Sequence, residues 1–319
     1  MESNNITFPL VSICMPAYNA GKFIAEAVQS VINQTYSNWE LIIVNDGSTD
    51  DTQQIIETQF NEDRIQLINI NNSGAAAARN VAYRASKGKN IKFLDSDDLI
   101  NPEMLEAQVA LAENDDCIIS ATWGRFYNND LDTFRLNPED CWRTLPPVEW
   151  ICNSWQNARS MTTPGIFLIP KKLIEKAGLW DESLSLLDDM EYFTKTILTA
   201  DKVIFSNASI LYYRSGNRGS LSGQINEFHV QSAYNSVLKS SKYLIAAEDN
   251  AKTRLLSANS LQQLVYSYYP EFPRLCGVIE KDIKSFSGST IKWRSSGPGS
   301  ILEKLVGWKT AKKISTWLR

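Results

Sequence analysis

The chain has 319 residues, 43% of them hydrophobic and 21% charged, which is the composition of a globular protein with ample core rather than of a disordered or fibrous one. Its net charge of −4 argues against a chain that coats nucleic acid. The charge is uneven: nine Lys and Arg against two acids from Lys281 to Arg319 put +7 on the last 39 residues and −11 on the rest, so the tail is expected to meet something anionic.

Five cysteines (Cys14, Cys117, Cys141, Cys152, Cys276) form no CxxC pair, so neither a zinc site nor a disulfide framework is indicated. Reduced thiols point to the cytoplasm. With one histidine, His229, a Ser-His-Asp machine is improbable. Met1 to Asn5 lacks the basic and apolar regions of a signal peptide, and no run has the 18 or so apolar residues of a membrane span.

The chain then alternates strand and helix. Val11 to Met15 reads as a strand ending at Pro16, followed by a turn over Ala17 to Gly21. Phe23, Ile24, Ala27, Val28, Val31 and Ile32 are at helical spacing. Leu41 to Val44 is a second buried strand, ending in the turn Asn45-Asp46-Gly47-Ser48, where Ser48 or Asp50 can cap the next helix. Ile65 to Ile68 is a third strand, Gly74 to Ser86 an alanine-rich helix carrying Arg79-Asn80, and Ile91 to Leu94 a fourth strand. Four such strands with helices between them predict a parallel sheet with right-handed crossovers.

The fourth strand runs into Asp95-Ser96-Asp97-Asp98. Acids crowded at a strand end repel and resist desolvation. A hard divalent cation, which takes oxygen ligands and completes its sphere with water and phosphate, would account for them. The carboxyl ends of parallel strands are where open α/β sheets bind ligands, and Tyr18-Asn19, Asp46-Gly47 and the acidic turn all fall there. The bland reading is a polar loop, with Asp98 or Asn101 capping a helix that starts near Pro102. No GxGxxG or GxxxxGK[ST] loop follows the first strand, which argues against a dinucleotide dehydrogenase or a P-loop enzyme.

Val11–Asn19, Val44 with Asp46-Gly47-Ser48, Gly74 with Arg79-Asn80, and Phe93 to Asp98, in this order and spacing, closely resemble the family 2 glycosyltransferases of the GT-A fold. The resemblance covers roughly residues 9 to 222. It implies an α/β, Rossmann-like, mostly parallel sheet flanked by helices. It also implies an inverting transferase that moves a sugar from a nucleotide-diphospho-sugar, expected to be a UDP-sugar, to an acceptor hydroxyl. By this resemblance the nucleotide sugar lies across Pro16, Tyr18, Asn19, Asp46, Arg79, Asp95 and Ser96. Tyr18 and Asn19 border the base, Asp46 meets the uracil or ribose, Arg79 lies near the base or diphosphate, and Asp95 meets the ribose. Asp97 of the Asp95-Ser96-Asp97 DxD pattern would bind Mn²⁺ or Mg²⁺. A non-catalytic nucleotide-sugar or carbohydrate-binding protein with a decayed site is the alternative, and a nucleotidyltransferase shares the sheet and metal but wants a Gly-rich basic loop where Pro16-Ala17-Tyr18-Asn19 stands.

Further along, Pro102 to Glu113 reads as a helix and Cys117 to Trp123 as a strand. Residues 124 to 160 show little periodicity and are expected to be an irregular functional surface; in the resembled family this region shapes the acceptor side. Met161 to Ile169 looks like a strand entered through a turn, and Lys171 to Ala177 a short helix capped by Gly178. Asp188-Asp189 opens a helix over Met190 to Leu198. The family usually carries Glu-Asp here, and Asp189 matches its general base; the other reading is that either acid caps the helix. A helix N-terminus favours the ionised form that a base needs. Lys202 to Phe205 and Ile210 to Arg214 read as two strands, followed by a Gly-rich loop that resembles the family's Tyr-Arg…Ser-x-Ser segment, without the His often found there. Arg214 and Arg218 would neutralise the leaving diphosphate or bind an anionic acceptor, or else be merely solvated.

The division expected is a transferase domain over residues 1–225 and a helical C-terminal region over 226–319. Its last piece, Ile301 to Arg319, mixes Trp, Leu and Lys, with apolar positions that shift around the helix after Gly307 and so suggest two segments. An interfacial helix on the inner face of a membrane and a helix packed on its own domain both fit. A saccharide or a lipid-linked saccharide is the acceptor expected by family analogy, in surface polysaccharide or lipopolysaccharide assembly.

Overall fold

The computed structural model describes residues 9–112, 115–158, 163–216, 225–293 and 298–317. Strands β1 (Val11–Ala17), β2 (Trp39–Asp46), β3 (Ile65–Ile70) and β4 (Asn90–Phe93) alternate with helices α1 (Ile24–Ile32), α2 (Thr52–Gln59) and α3 (Ala75–Ala85). The strands form a sheet in the order β3-β2-β1-β4-β8, in which β8 (Ile169–Pro170) is the antiparallel edge. Every residue of β1 is buried, which is why it reads as an unbroken apolar run rather than an alternating one. The α/β class, the parallel order and the helical C-terminal region agree with the sequence.

A second sheet, β5-β9-β6-β7, stands beyond the first. It comprises β5 (Leu99–Ile100), β6 (Cys117–Tyr127), β7 (Asp130–Leu136) and β9 (Lys202–Ser215). Helix α4 (Met104–Leu111) follows β5, and neither Asp98 nor Asn101 caps it. Asn101 instead accepts from Ile210 N at 2.7 Å and donates to Ala208 O at 3.0 Å, pinning β5 to β9.

Three expectations are corrected here. Residues 124–160 are not irregular throughout: β6 runs on to Tyr127 and turns into β7 through Asn128-Asn129, both at positive φ, and α5 (Pro147–Ser154) starts with Pro at its first turn. β7 is a largely solvent-facing edge strand, so it lacks the apolar alternation that makes strands legible. The stretch expected as a strand entered through a turn has its turn, a 3₁₀ one at Pro164–Ile166, but its strand is only the short β8; Met161 and Thr162 lie outside the described residues. The two late strands are one, β9, whose register against β6 shifts between Ala121 and Thr122.

Helices α6 (Lys171–Ala177) and α7 (Asp188–Ile197) lie between β8 and β9. Gly178 ends α6 at φ 86°, where its N–H reaches Ile174 O. Helices α8 (Glu227–Ala247), α9 (Ala251–Tyr268), α10 (Pro273–Ser285) and α11 (Pro298–Trp317) complete the chain. α8 packs on α7, and α9 and α10 pack in turn. α11 breaks at Gly307, φ 75° and ψ 157°, as its shifted apolar pattern predicts. Trp308 and Ala311 face the body, with the Trp308 ring 4.8 Å from that of Tyr266, while Leu305 (76% exposed) and Trp317 (85%) face out. The tail is thus packed on one side and open on the other. No helix among the described residues is long and apolar enough to cross a membrane.

Candidate active site

The parallel strands bring three loops to one edge of the sheet. At the end of β1, Pro16 is buried and the Tyr18 ring is half exposed. Asn19, at φ 50°, accepts at Oδ1 from Thr49 N (2.8 Å), and its own N–H donates to Ser48 Oγ (3.0 Å). Its side chain therefore joins the first strand end to the second. At the end of β2, Asp46 is 2% exposed and accepts from Ser73 N (2.7 Å) and Gly74 N (2.9 Å). It holds the loop entering α3. Gly47 (φ 69°) is required beside it, because a Cβ would sit 2.8 Å from Asn72 N.

The acidic residues after β4 form a turn closed by Asp98 N on Asp95 O at 3.2 Å. Asp95, Ser96 and Asp97 are partly exposed, whereas Asp98 is buried. Asp98 Oδ1 accepts from Arg214 N at 2.9 Å, and its buried Oδ2 has no hydrogen-bond partner among the described residues. Burial, then the charges of Asp97 and Asp95, push the Asp98 carboxyl well above its ordinary range.

Arg214 does not project as a solvated arginine. Its guanidinium is buried, donates from Nε to Asp97 O (2.6 Å), pairs through Nη2 with Glu26 (2.9 Å) and lies 4.7 Å from the rings of both Phe23 and Phe126. The rings and Glu26 together leave it to brace the acidic turn against α1 and β6. Arg218 lies outside the described residues.

Arg79 likewise turns its charge into the protein. It is buried, with Nη2 on Asp95 (2.8 Å), Nη1 on Asp188 (2.9 Å) and its plane 4.4 Å over the Trp180 ring. Trp180 in turn stacks on Tyr192 with centroids 3.9 Å apart. Asn80 beside it donates from Nδ2 to Trp180 O and Glu182.

Asp188 and Asp189 open α7, after Leu187 in the left-handed region at φ 61°. Among the described residues no side chain caps this helix: Asp188 is taken by Arg79, and Asp189 accepts from the next amide, Met190 N, at 2.7 Å. Desolvation, then the charge of Asp188, pushes Asp189 up to about 7, outweighing the helix N-terminus expected to keep it ionised. A carboxyl poised there can both accept and release a proton near neutrality.

The segment that leads into Asp189 is held from a direction that no sequence pattern reveals. On α8, Ser232 Oγ accepts from Ser185 N (2.7 Å) and Leu186 N (3.2 Å), and Ser236 Oγ donates to Leu187 O. Serines spaced by four on a helix carry no motif, so only packing identifies them.

The acidic turn suits a divalent cation. Among the described residues no three acids, thiols or imidazoles converge as a ready-made cage. Asp97, with the unpartnered oxygen of neighbouring Asp98, offers one or two carboxylates, the number Mn²⁺ or Mg²⁺ takes when phosphate and water supply the rest.

A family model described as Glycosyl transferase family 2 matches residues 12–178, just over half the chain. The chain belongs to glycosyl transferase family 2. The match takes in Asp46, Arg79, Asp95 and Asp97 and stops short of Asp189. GlyG of Streptococcus pneumoniae serotype 4, named a glycosyltransferase, is 30% identical over 216 residues, which are 64% of this chain and 70% of GlyG. TuaG of Bacillus subtilis strain 168 is 40% identical over 136 residues, 41% of this chain and about half (54%) of TuaG. The fold of this family 2 chain is that of S. aureus TarS 1-349: TM-score 0.62, 21% identity, 82% of this chain and 74% of that one covered.

Proposed function

We propose that this glycosyltransferase is an inverting, metal-dependent enzyme that transfers a hexosyl group from a UDP-sugar to an acceptor hydroxyl in surface polysaccharide or lipopolysaccharide assembly. The observation that carries the reading is the placement of Asp189 beside the acidic turn, joined to it through Asp188, Arg79 and Asp95. TarS was crystallised with UDP and with UDP-GlcNAc, and the name of TuaG assigns it to teichuronic acid biosynthesis; both support the donor class and the setting.

In this reading the base lies by the exposed Tyr18 ring, and Asp46 offers it a carboxylate lone pair that the Ser73 and Gly74 amides leave over. Asp95 accepts from the ribose. Asp97 would hold the cation, with Asp98 alongside; when bound, it supplies Lewis-acid neutralisation of the diphosphate. Asp189 takes the proton of the acceptor hydroxyl as that oxygen forms its bond to the anomeric carbon. The bond from that carbon to the diphosphate oxygen breaks with its electron pair on the leaving group. A single displacement inverts the anomeric centre, and no enzyme nucleophile is required. Arg214 keeps the acidic turn in place, and the open face of α11 keeps the enzyme at the inner surface of the membrane, near a lipid-linked acceptor.

Calorimetric titration of UDP with and without Mn²⁺, followed by transfer and hydrolysis assays on UDP-sugars, tests the proposal. Metal-dependent UDP binding that is lost in Asp97→Ala is expected. Binding without any turnover would favour a decayed, non-catalytic site, and failure with UDP-, GDP- and dTDP-linked donors alike would overturn the reading.

A further inference from the structure

An arginine on an alanine-rich helix ordinarily snorkels to water. Arg79 instead carries its charge into the protein, where it meets two carboxylates from different elements, 16 and 109 residues downstream. Both Nη groups are engaged, the ring of Trp180 covers the guanidinium face, and Nε is buried without a partner. Little of this side chain is left to serve as a direct ligand for a nucleotide.

We propose that Arg79 is a positioning residue that couples the donor side of the site to the base: by bridging Asp95 and Asp188 it sets the place of the segment that presents Asp189. This rests on the transferase reading above and adds a role that reading does not need. The rest of the segment is fastened elsewhere, by Asn80 at Trp180, by Lys239 at Asp181, and by Ser232 and Ser236 at residues 185–187. Its last residue before Asp189 is the one that Arg79 ties to the acidic turn. One guanidinium gripping two carboxylates sets the distance between them, and releasing either strips that carboxylate of its counter-charge, so the positions of Asp95 and Asp188 are linked. A donor hydroxyl that hydrogen-bonds Asp95 therefore acts on the other half of the bridge, and through it on Asp189.

The test compares wild type, Arg79→Lys, Arg79→Met, Asp188→Asn and the Arg79→Met/Asp188→Asn double variant. Circular dichroism and melting temperature report folding, calorimetry reports UDP affinity, and steady-state assays report kcat and KM. Arg79→Lys, which keeps the charge but not the two-pronged grip, is expected to lower kcat by about 10- to 100-fold, the scale of a small misplacement of reacting groups. UDP affinity should stay within about threefold, separating positioning from binding. The double variant should be no worse than Arg79→Met alone, in kcat and in melting temperature. Loss of UDP affinity with kcat unchanged would make Arg79 a nucleotide ligand and overturn the proposal. So would effects that simply add. The melting temperatures decide additivity even if no nucleotide sugar is turned over, so failure of the coupling and failure of the transferase reading give different results.

Discussion

Asn80 and Trp180 exchange a reciprocal pair of hydrogen bonds across 100 residues of chain: Asn80 Nδ2 donates to Trp180 O at 2.9 Å, and Trp180 N donates to Asn80 Oδ1 at 3.0 Å. The side-chain amide imitates a backbone partner and fixes where the segment toward Asp189 leaves α6. Asn80→Ala removes these bonds and the one to Glu182, and strands the Trp180 amide in a buried setting. A loss of about 2–4 kcal/mol in urea unfolding is expected, from three bonds at their usual net worth. Loss of kcat beyond what stability explains would show that the segment has moved.

Asp189 offers a pH test with a definite sign. Its carboxyl is pushed up to about 7, so below that pH it holds a proton and cannot take one from the acceptor. The value of kcat/KM should climb about tenfold per pH unit below neutrality and level off above it. Asp189→Asn should lower kcat by about 10²–10⁴ and abolish that limb, with UDP binding retained. Unchanged transfer in this variant would remove Asp189 from the chemistry.

Lys92, in β4 three residues before Asp95, is fully buried, with Nζ donating to Gln108 Oε1 (3.0 Å) and Phe167 O (3.3 Å). Desolvation lowers its pKa to about 7. Between pH 7 and its ordinary value of about 10.4 the unfolded chain holds a proton that the native protein does not, so stability rises with pH across that window. Below pH 7 the cost of burying the charge is present in full. Urea unfolding at pH 7 and pH 9.5 should show this gain in wild type and a smaller one in Lys92→Met; equal gains would mean that Lys92 stays charged.

The outer face of α11 carries Leu305, Val306, Ile314 and Trp317 in the open, with Lys304 and Lys313 among them. Apolar and basic side chains on one exposed surface suit an anionic bilayer. The protein should co-sediment with phosphatidylglycerol-containing vesicles more than with neutral ones, and Leu305→Glu/Trp317→Glu should lose this at unchanged melting temperature. Equal sedimentation with and without the substitutions would assign the tail to packing alone.

What the residues alone determined is what local order can encode. Apolar runs and helical spacing settled the strands and helices through α3, because each follows from contacts a few residues apart. Parallel strands share a direction, so Tyr18, Asp46 and Asp95 had to reach one edge. The turn of apolar positions at Gly307 announced the break in α11. The hairpin of β6 and β7 escaped notice because an edge strand facing water has no buried face to print on its sequence. Packing alone decided the partners of the charges. From the residues alone Arg79 and Arg214 read as ligands of the donor or as solvated charges, with no protein partner in view. The fold brings Asp188 to the first, and Phe23, Phe126 and Glu26 to the second, and a buried charge stays where such partners compensate it. The hold of Ser232 and Ser236 on the segment before Asp189 likewise exists only once α8 lies against α7, since a lone hydroxyl on a helix names no partner until packing supplies one.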